Sequence, residues 1–251
     1  MIQRNDRNGT AEIRMANEPA NVLTVEFSDA LADEIGHARG DDTVRAVVLT
    51  GTGSAFSAGV ELFRVVDEGP GYVEALLKSL GTLFSMLRAF PKPLVAAVNG
   101  HAVAGGAVIA CACDYRVMAA GPGRFGLPEL RVGVPFPAIA SEIVRSAVPA
   151  RHQRQAMLLG RLHDPEAAAD RGLVDEIVPS DGLLERAREI ARELASIPPA
   201  TYSLTKRQFA SPPGALADLE AELETIWTAD DTREHIRGYL KRTLGRSTAA
   251  R

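Results

Sequence analysis

The residues from Pro93 to Cys113 form a run without a single charge, and this run constrains the fold more than any other feature of the chain. It reaches the length of about 20 residues that a transmembrane helix needs. Its centre, however, contains Asn99 and Gly100, which interrupt the apolar character where a bilayer is driest. The run is therefore predicted as a buried strand over Leu94 to Val98, a glycine-rich turn, and a buried helix over Ala104 to Cys113. No membrane partner is expected.

A similar order of strand, glycine loop and helix occurs earlier in the sequence. Arg45 to Thr50 is a nearly continuous apolar strand, the loop from Gly51 to Gly59 follows it, and a helix is predicted from Glu61. Between the two units, apolar residues from Val73 to Leu87 recur at steps of three and four, which predicts an amphipathic crossover helix. Strand-loop-helix units in succession are typical of a parallel α/β layer.

The last part of the chain is almost entirely helical in pattern. Apolar residues between Leu184 and Ile197 form one stripe, and further helices are predicted over 200–210, 214–228 and 229–244. The predicted domains are an α/β core over residues 1–195 and a helical C-terminal region over residues 196–251.

The composition excludes several classes of partner and site. The 28 Lys and Arg residues do not outnumber the 32 Asp and Glu residues, and the net charge of -4 leaves no basic excess for nucleic acid. Cys111 and Cys113 stand apart from any histidine or second cysteine pair at zinc spacing, so no metal site is predicted. Both are expected in the core of a protein from a reducing compartment. Without an apolar signal segment at the start, the expected location is the cytoplasm.

The first glycine loop allows three interpretations. As a dinucleotide-binding fingerprint it is incomplete, since Phe56 stands where the third glycine should be. As the nucleophile elbow of a serine hydrolase, with Asp114 and His152 completing a triad, it places Ser57 too far beyond the end of the strand. As a backbone anion site, it leads into a helix whose first N–H groups are free.

The second glycine loop offers the same kind of site. Gly105 and Gly106 open the helix that follows the strand over Leu94 to Val98, so free N–H groups lie at a second helix N-terminus. Two N–H groups that converge on one oxygen would form an oxyanion hole. From spacing alone, the alternative stays open that these glycines only permit tight turns and close helix packing.

Three stretches of the chain read, in this order, RAVVLTGTGSAFSAGVEL, KPLVAAVNGHAVAGGAVIACACDYRVMA and FGLPELRVGV. They resemble the enoyl-CoA hydratase/isomerase family, also called the crotonase family, and the resemblance extends from about Ala20 to the C-terminal helices. It implies an α/β fold, the crotonase-like spiral of ββα units with a helical C-terminal trimerisation region, and a homotrimer or a hexamer built as a dimer of trimers. It also implies an acyl-CoA substrate whose enolate oxygen is held by two backbone N–H groups. No separate cofactor is expected, because coenzyme A is part of the substrate.

The resemblance implies roles for individual positions of this sequence. The oxyanion hole would consist of the backbone N–H groups of Val60 and Gly105. Family hydratases use two glutamates, and the corresponding positions here are Val108 and Glu129, so one carboxylate is missing. The implied substrate-binding positions are Ala58, Gly59, Gly106, Val108, Phe136, Tyr239 and Lys241. For Tyr239 and Lys241, near the end of the last predicted helix, the alternative to substrate binding is that they belong to a solvated basic surface.

A single carboxylate suffices to move a double bond, because one base can remove the α proton and return it at the γ carbon. The chain resembles the 3,2-enoyl-CoA isomerase branch more closely, through residues 18–27, residues 126–133 and Pro135-Phe136. Glu129 is therefore the predicted catalytic residue of an enoyl-CoA isomerase, with a pKa raised by apolar surroundings. Taken alone, a glutamate after a proline also suits the first turn of any helix. The alternatives are a hydratase or hydrolase that uses water in another way, and a catalytically silent CoA-thioester-binding homologue.

Overall fold

The strands of the chain lie in two sheets. In chain order they are β1 (Ile2–Arg7), β2 (Thr10–Met15), β3 (Ala46–Gly51), β4 (Ala55–Ser57), β5 (Leu94–Val98), β6 (His101–Val103), β7 (Tyr115–Ala119), β8 (Phe125–Gly126), β9 (Leu162–His163) and β10 (Glu176–Val178). The computed structural model describes residues 1–210 and, beyond them, positions 222, 223, 225, 226, 229–232, 234, 236 and 238. Within these residues the main sheet has the order β1-β2-β3-β5-β7-β10, and the second sheet has the order β4-β6-β8-β9.

Helices lie between many of these strands and after the last one. They are α1 (Val25–Gly40), α2 (Leu62–Asp67), α3 (Pro70–Arg88), α4 (Gly105–Ala112), α5 (Glu129–Val132), α6 (Ala138–Ala147), α7 (Ala150–Leu159), α8 (Pro165–Asp170), α9 (Leu183–Ala195) and α10 (Pro199–Ala210). The predicted crossover helix is confirmed as α3, which buries Leu76, Leu80 and Leu83 along one face.

The central strands of the main sheet are buried on both faces, which explains their continuous apolar sequence. Val47 and Leu49 of β3 face the principal core, whereas Ala46 and Val48 face the cluster that α9 completes. The pairs β2·β3, β3·β5, β5·β7 and β7·β10 are all parallel. The predicted parallel α/β layer is therefore confirmed.

A repeated unit positions the functional loops. β3 continues into β4, β5 into β6 and β7 into β8, so each of these three strands of the main sheet is followed by a short strand of the second sheet and then by a helix. This is the ββα unit that the resemblance implies. Asn99 joins two of the turns: its Oδ1 accepts the Gly51 N–H at 2.9 Å, and its Nδ2 donates to the Gly53 carbonyl at 3.1 Å.

The first forty residues hold elements that the sequence analysis does not predict. β1 and β2 form an antiparallel hairpin whose turn residues, Asn8 and Gly9, have φ of 50° and 77°. These left-handed values are typical of an Asn-Gly hairpin turn. Because β1 is a largely exposed, polar edge strand, no hydrophobic alternation marks it, and the Asn-Gly pair is the local signal that could have found it.

The described residues divide into two compact units, Met1–Ala195 and the part that begins at Ser196. In the second unit, α10 confirms the helix predicted over 200–210, whereas the helices predicted over 214–228 and 229–244 fall largely outside the described residues. No helix in the described part of the chain combines the length and apolar character needed to cross a membrane. The same residues contain no group of three or more side chains that could hold a metal ion.

Candidate active site

The two glycine loops lie against each other at one edge of the second sheet. A Cβ atom placed on Gly59, whose φ is +84°, would lie 2.8 Å from the Val103 carbonyl oxygen and 3.3 Å from the Gly105 nitrogen. A residue without a Cβ is needed for so close an approach at this φ. The loop after β4 and the loop after β6 are thus brought into direct contact.

Leu23 determines the direction of the Val60 N–H group. The Leu23 N–H donates to the Gly59 carbonyl at 2.7 Å, and the Glu61 N–H donates to the Leu23 carbonyl at 3.1 Å, which forms a parallel bridge between Leu23 and Val60. Because successive peptide groups of an extended segment point to opposite sides, the N–H of Val60 itself points away from Leu23. It has no hydrogen-bond acceptor among the described residues.

The N–H of Gly105 is a second free donor. Gly105 is the first residue of α4, and the first N–H groups of a helix have no partner within it. In the rest of the described part of the chain, this N–H has no acceptor either. The N–H groups of Val60 and Gly105 therefore lie unpaired on two loops in contact, and an oxyanion hole needs two donors of this kind.

Ala104 enters α4 with φ of 50° and ψ of -124°, a combination that glycine adopts readily and alanine does not. It is the N-cap residue, and its side chain makes no capping hydrogen bond. A non-glycine residue in such a region costs about 1–3 kcal/mol. Strain is therefore stored at the residue that directly precedes the Gly105 donor.

Replacing Ala104 by glycine is expected to raise the free energy of unfolding by about 1 kcal/mol, because relief of the strain exceeds the entropic cost of a glycine. For a chain of this size the gain corresponds to a rise in Tm of about 2–4 °C. Thermal unfolding of Ala104→Gly beside the unchanged protein measures it. An unchanged or lower Tm would contradict the strain.

The structure excludes the serine-hydrolase interpretation of the first loop. The Ser57 hydroxyl is fully buried, donates to the Asn21 carbonyl at 2.7 Å and accepts the Gly59 N–H at 3.2 Å. Asp114 accepts the Leu94 N–H at 2.8 Å and so anchors the start of β5. Ser57 is a structural residue that holds the first loop in place.

Glu129 follows a strand end at the same edge of the second sheet. β8 pairs in parallel with β6, and the Ala104 N–H donates to the Gly126 carbonyl at 2.9 Å. β6 leads into Gly105, and β8 leads into Glu129, the first residue of α5. The Glu129 carboxyl group and the free N–H groups therefore lie just after the ends of neighbouring parallel strands.

The Glu129 side chain is buried and lacks a partner. The residue is 8% exposed, and its Oε2 has no hydrogen-bond partner within the described residues. Burial disfavours the charged form and raises the pKa of this carboxyl group to about 7, against a smaller opposing effect of its own backbone N–H. A carboxyl group with this pKa accepts and donates protons readily near neutral pH. This rise in the pKa of Glu129 has the direction that the sequence predicts.

Helix α4 carries no second carboxylate. It reads GGAVIACA, and Val108, the position that the resemblance assigns to the first hydratase glutamate, is 1% exposed. Phe136 is half-buried and packs against the principal core. Burial raises the pKa of Cys111 in α4 to about 11.

A family model described as enoyl-CoA hydratase/isomerase matches residues 5–244 of the chain. The chain belongs to the enoyl-CoA hydratase/isomerase family. The family and the fold class that the sequence predicts are therefore confirmed, and the expectation of an acyl-CoA enzyme is supported at the level of the family.

Relatives of this family member carry the names of both reactions. It is 38% identical over 246 residues to a Thermus thermophilus protein named "Putative enoyl-CoA hydratase", covering 93% of this chain and 96% of that one. It is 29% identical over 241 residues to the mitochondrial enoyl-CoA delta isomerase 1 of Mus musculus, covering 93% and 83% of the two chains. Its fold matches an enoyl-CoA hydratase/carnitine racemase of Magnetospirillum magneticum with a TM-score of 0.84 at 25% identity, over 100% of this chain and 95% of that one.

The structure brings five of the predicted site residues of this enoyl-CoA hydratase/isomerase family member into one region. Ala58 is half-buried, and its N–H donates to the Ala20 carbonyl at 3.0 Å. Tyr239 and Lys241 lie outside the described residues. The residues around the contact between the two glycine loops are Ala58, Gly59, Val60, Gly105 and Gly106.

Leu23 contributes to this region although the sequence analysis assigns it no role. Leu23 forms the bridge to Val60, and its side chain also packs against Gly105. A Cβ atom placed on Gly105 would lie only 2.7 Å from the Leu23 Cδ1. The local signal is weak, since a leucine before the Thr24 N-cap of α1 indicates only the start of a helix. Its contact with both loops follows from the fold.

Proposed function

We propose that this protein is a 3,2-enoyl-CoA isomerase, which moves the double bond of a 3-enoyl-CoA to the 2 position with Glu129 as its only acid-base group. The observation that carries the proposal is the state of that carboxyl group. It is buried, its Oε2 is unpartnered among the described residues, and its pKa is raised to about 7, while Val108 occupies the position of a hydratase's other glutamate.

In the proposed reaction, the Glu129 carboxylate removes a proton from C2 of the 3-enoyl thioester. The electron pair of that C–H bond delocalises over the C3–C4 double bond and the thioester carbonyl, which gives a dienolate. The N–H groups of Val60 and Gly105 donate to its oxygen, and the loss of one such donor typically costs about 3–4 kcal/mol of transition-state stabilisation. The protonated Glu129 then delivers its proton to C4, so the double bond lies between C2 and C3 and the carboxylate is restored.

The missing second carboxylate favours this reaction over hydration. Adding water to a 2-enoyl-CoA requires one group to deprotonate the water and a proton source for C2. Val108 can do neither. A hydratase remains the second candidate, because the 38% identical relative from Thermus thermophilus carries that name.

The implied substrate and assembly belong to the same proposal. The substrate is an acyl-CoA, and coenzyme A is its carrier rather than a separate cofactor. Tyr239 and Lys241 are proposed to contact the coenzyme A portion, and the chain is proposed to assemble as a homotrimer or a dimer of trimers. The cytoplasmic location stays a prediction.

The proposal is tested by giving the purified full chain a 3-enoyl-CoA and, separately, a 2-enoyl-CoA, with products identified by chromatography and mass. Conversion of the first without hydration of the second is expected. Glu129→Gln is expected to lose this conversion. Glu166→Gln, which makes the same chemical change at an exposed position of α8, is its matched control and should keep the conversion. Hydration of the 2-enoyl-CoA at an ordinary enzymatic rate would overturn the isomerase. Binding of both substrates without turnover would identify a catalytically silent homologue.

A further inference from the structure

Asn21 is a buried polar residue that joins the segment before α1 to strand β4. It is 1% exposed, and its φ of 53° lies in the left-handed region, which asparagine adopts more readily than most residues. Its Oδ1 accepts the Asn17 N–H at 2.8 Å, and its Nδ2 donates to the Ala55 carbonyl at 2.9 Å. Because one partner is a donor and the other an acceptor, the side-chain amide has one orientation.

Asn21 also reaches the first glycine loop through its backbone. The Asn21 carbonyl accepts the Ser57 hydroxyl at 2.7 Å, and the Ser57 Oγ accepts the Gly59 N–H at 3.2 Å. Ser57 is fully buried, so water does not compete for either hydrogen bond. Two consecutive hydrogen bonds therefore connect the Asn21 carbonyl, through the Ser57 hydroxyl, to the N–H of Gly59.

Gly59 is held at both of its backbone polar groups. Its N–H donates to Ser57, and its carbonyl accepts the Leu23 N–H at 2.7 Å. The two rotatable backbone bonds of Gly59 lie between these groups, so both hydrogen bonds together hold this flexible residue at its φ of 84°. Since a peptide group is planar, the direction of the Gly59 carbonyl also sets the direction of the Val60 N–H.

We infer that Asn21 and Ser57 are positioning residues, which restrain Gly59 and thereby keep the Val60 N–H in one direction. The inference rests on the proposed function, in which the Val60 N–H donates to the substrate oxygen. Such a donor lowers the barrier only if it is already held where charge develops in the transition state. Without the hydrogen bond from Gly59 to Ser57, the peptide group that carries the Val60 N–H is restrained from one side only.

Two substitutions remove this restraint at different points. Ser57→Ala removes both hydrogen bonds of the hydroxyl and adds no atom. Asn21→Gly removes the side chain that anchors the Asn21 carbonyl, and glycine tolerates the φ of 53°. The Ala55 carbonyl keeps a donor in this variant, because Asn99 Nδ2 lies 3.2 Å from it. Each substitution should lower kcat for a 3-enoyl-CoA about tenfold and change KM less than about twofold, because the misaligned donor weakens transition-state stabilisation more than ground-state binding.

Infrared spectra of bound butanoyl-CoA, labelled with ¹³C at the thioester carbonyl, give a measurement that does not depend on turnover. This saturated ligand has no double bond to move or hydrate. Hydrogen bonds to its carbonyl oxygen polarise the C=O bond and lower its stretching frequency. The carbonyl band should therefore lie below that of the free ligand in the unchanged protein, and should move back toward it in both variants.

Ser79→Ala is the matched control for Ser57→Ala. It removes a buried hydroxyl of α3 that donates to the Val25 carbonyl at 3.2 Å and does not contact the first glycine loop. Loss of this buried hydrogen bond should lower the Tm by about 2–4 °C, as in Ser57→Ala. The kcat and the carbonyl band of Ser79→Ala should equal those of the unchanged protein.

The outcomes separate this inference from the proposed function. All variants are measured at a temperature at which circular dichroism shows them folded. A displaced carbonyl band in the unchanged protein that stays equally displaced in Ser57→Ala and Asn21→Gly would overturn the positioning role and leave the proposed oxyanion hole intact. A band of the unchanged protein that coincides with that of the free ligand would overturn the oxyanion hole, and the positioning role with it.

Discussion

Replacing Glu129 by glutamine is expected to lower kcat for conversion of a 3-enoyl-CoA by about 10³-fold, because an amide can neither take the C2 proton nor return it at C4. The Glu166→Gln control should retain full activity. Steady-state kinetics of the two variants beside the unchanged protein measures the difference. Activity of Glu129→Gln within tenfold of the unchanged protein would contradict the role of this carboxyl group.

The same substitution should change how stability depends on pH. The carboxyl group has a pKa of about 7 in the folded chain against an ordinary value of 4.5, so between these values the folded state binds more protons than the unfolded state. The free energy of unfolding of the unchanged protein should therefore fall as pH rises through this window, by about 3 kcal/mol. Glutamine does not titrate, so this contribution to the fall should be absent from Glu129→Gln.

Denaturant unfolding at pH 4 and pH 8 tests this linkage. The unfolding free energy of Glu129→Gln minus that of the unchanged protein should be about 3 kcal/mol larger at pH 8 than at pH 4. This difference cancels the effects of other titrating groups, which both proteins share. Parallel pH profiles would show that the Glu129 carboxyl group is not desolvated in the folded chain.

Gly106→Ala is expected to have the second large effect. A Cβ atom on Gly106 would lie 2.2 Å from the Ser57 carbonyl oxygen and 2.8 Å from the Ser57 carbonyl carbon, so the backbone of β4 or of α4 must move. Overpacking of this kind should lower the free energy of unfolding by about 3 kcal/mol. The displacement also misaligns the N–H groups of Val60 and Gly105, which should lower kcat by about 10²-fold.

Gly81→Ala is the matched control for this substitution. It adds the same methyl group inside α3, where nothing lies within 4 Å of the new atom. It should raise the free energy of unfolding by about 0.5–1 kcal/mol, since alanine favours a helix more than glycine does, and should leave kcat unchanged. If both variants gave the same stability and activity, the close contact between β4 and α4 would be refuted.

Segments with a strong local pattern are the ones that the sequence predicts well. The buried strands β3 and β5 and the crossover helix α3 have apolar residues at the period of their element, because each buries a continuous face. β1 and the two-residue strands β8 and β9 are missed. A short or edge strand obtains its conformation from hydrogen bonds to a distant neighbour, so its own residues need not be apolar or periodic.

The sequence by itself determined the family, the two glycine loops and the candidate carboxyl group Glu129, because these depend on residue types in a fixed order. Only the tertiary structure decided that the Glu129 Oε2 is buried without a partner, that Leu23 turns the Val60 N–H outward, and that Ala104 is held at a strained φ. Burial, hydrogen bonding and the pKa of a carboxyl group depend on atoms from remote parts of the chain. A motif can therefore indicate which residues form the site, but only packing sets their charge, direction and strain.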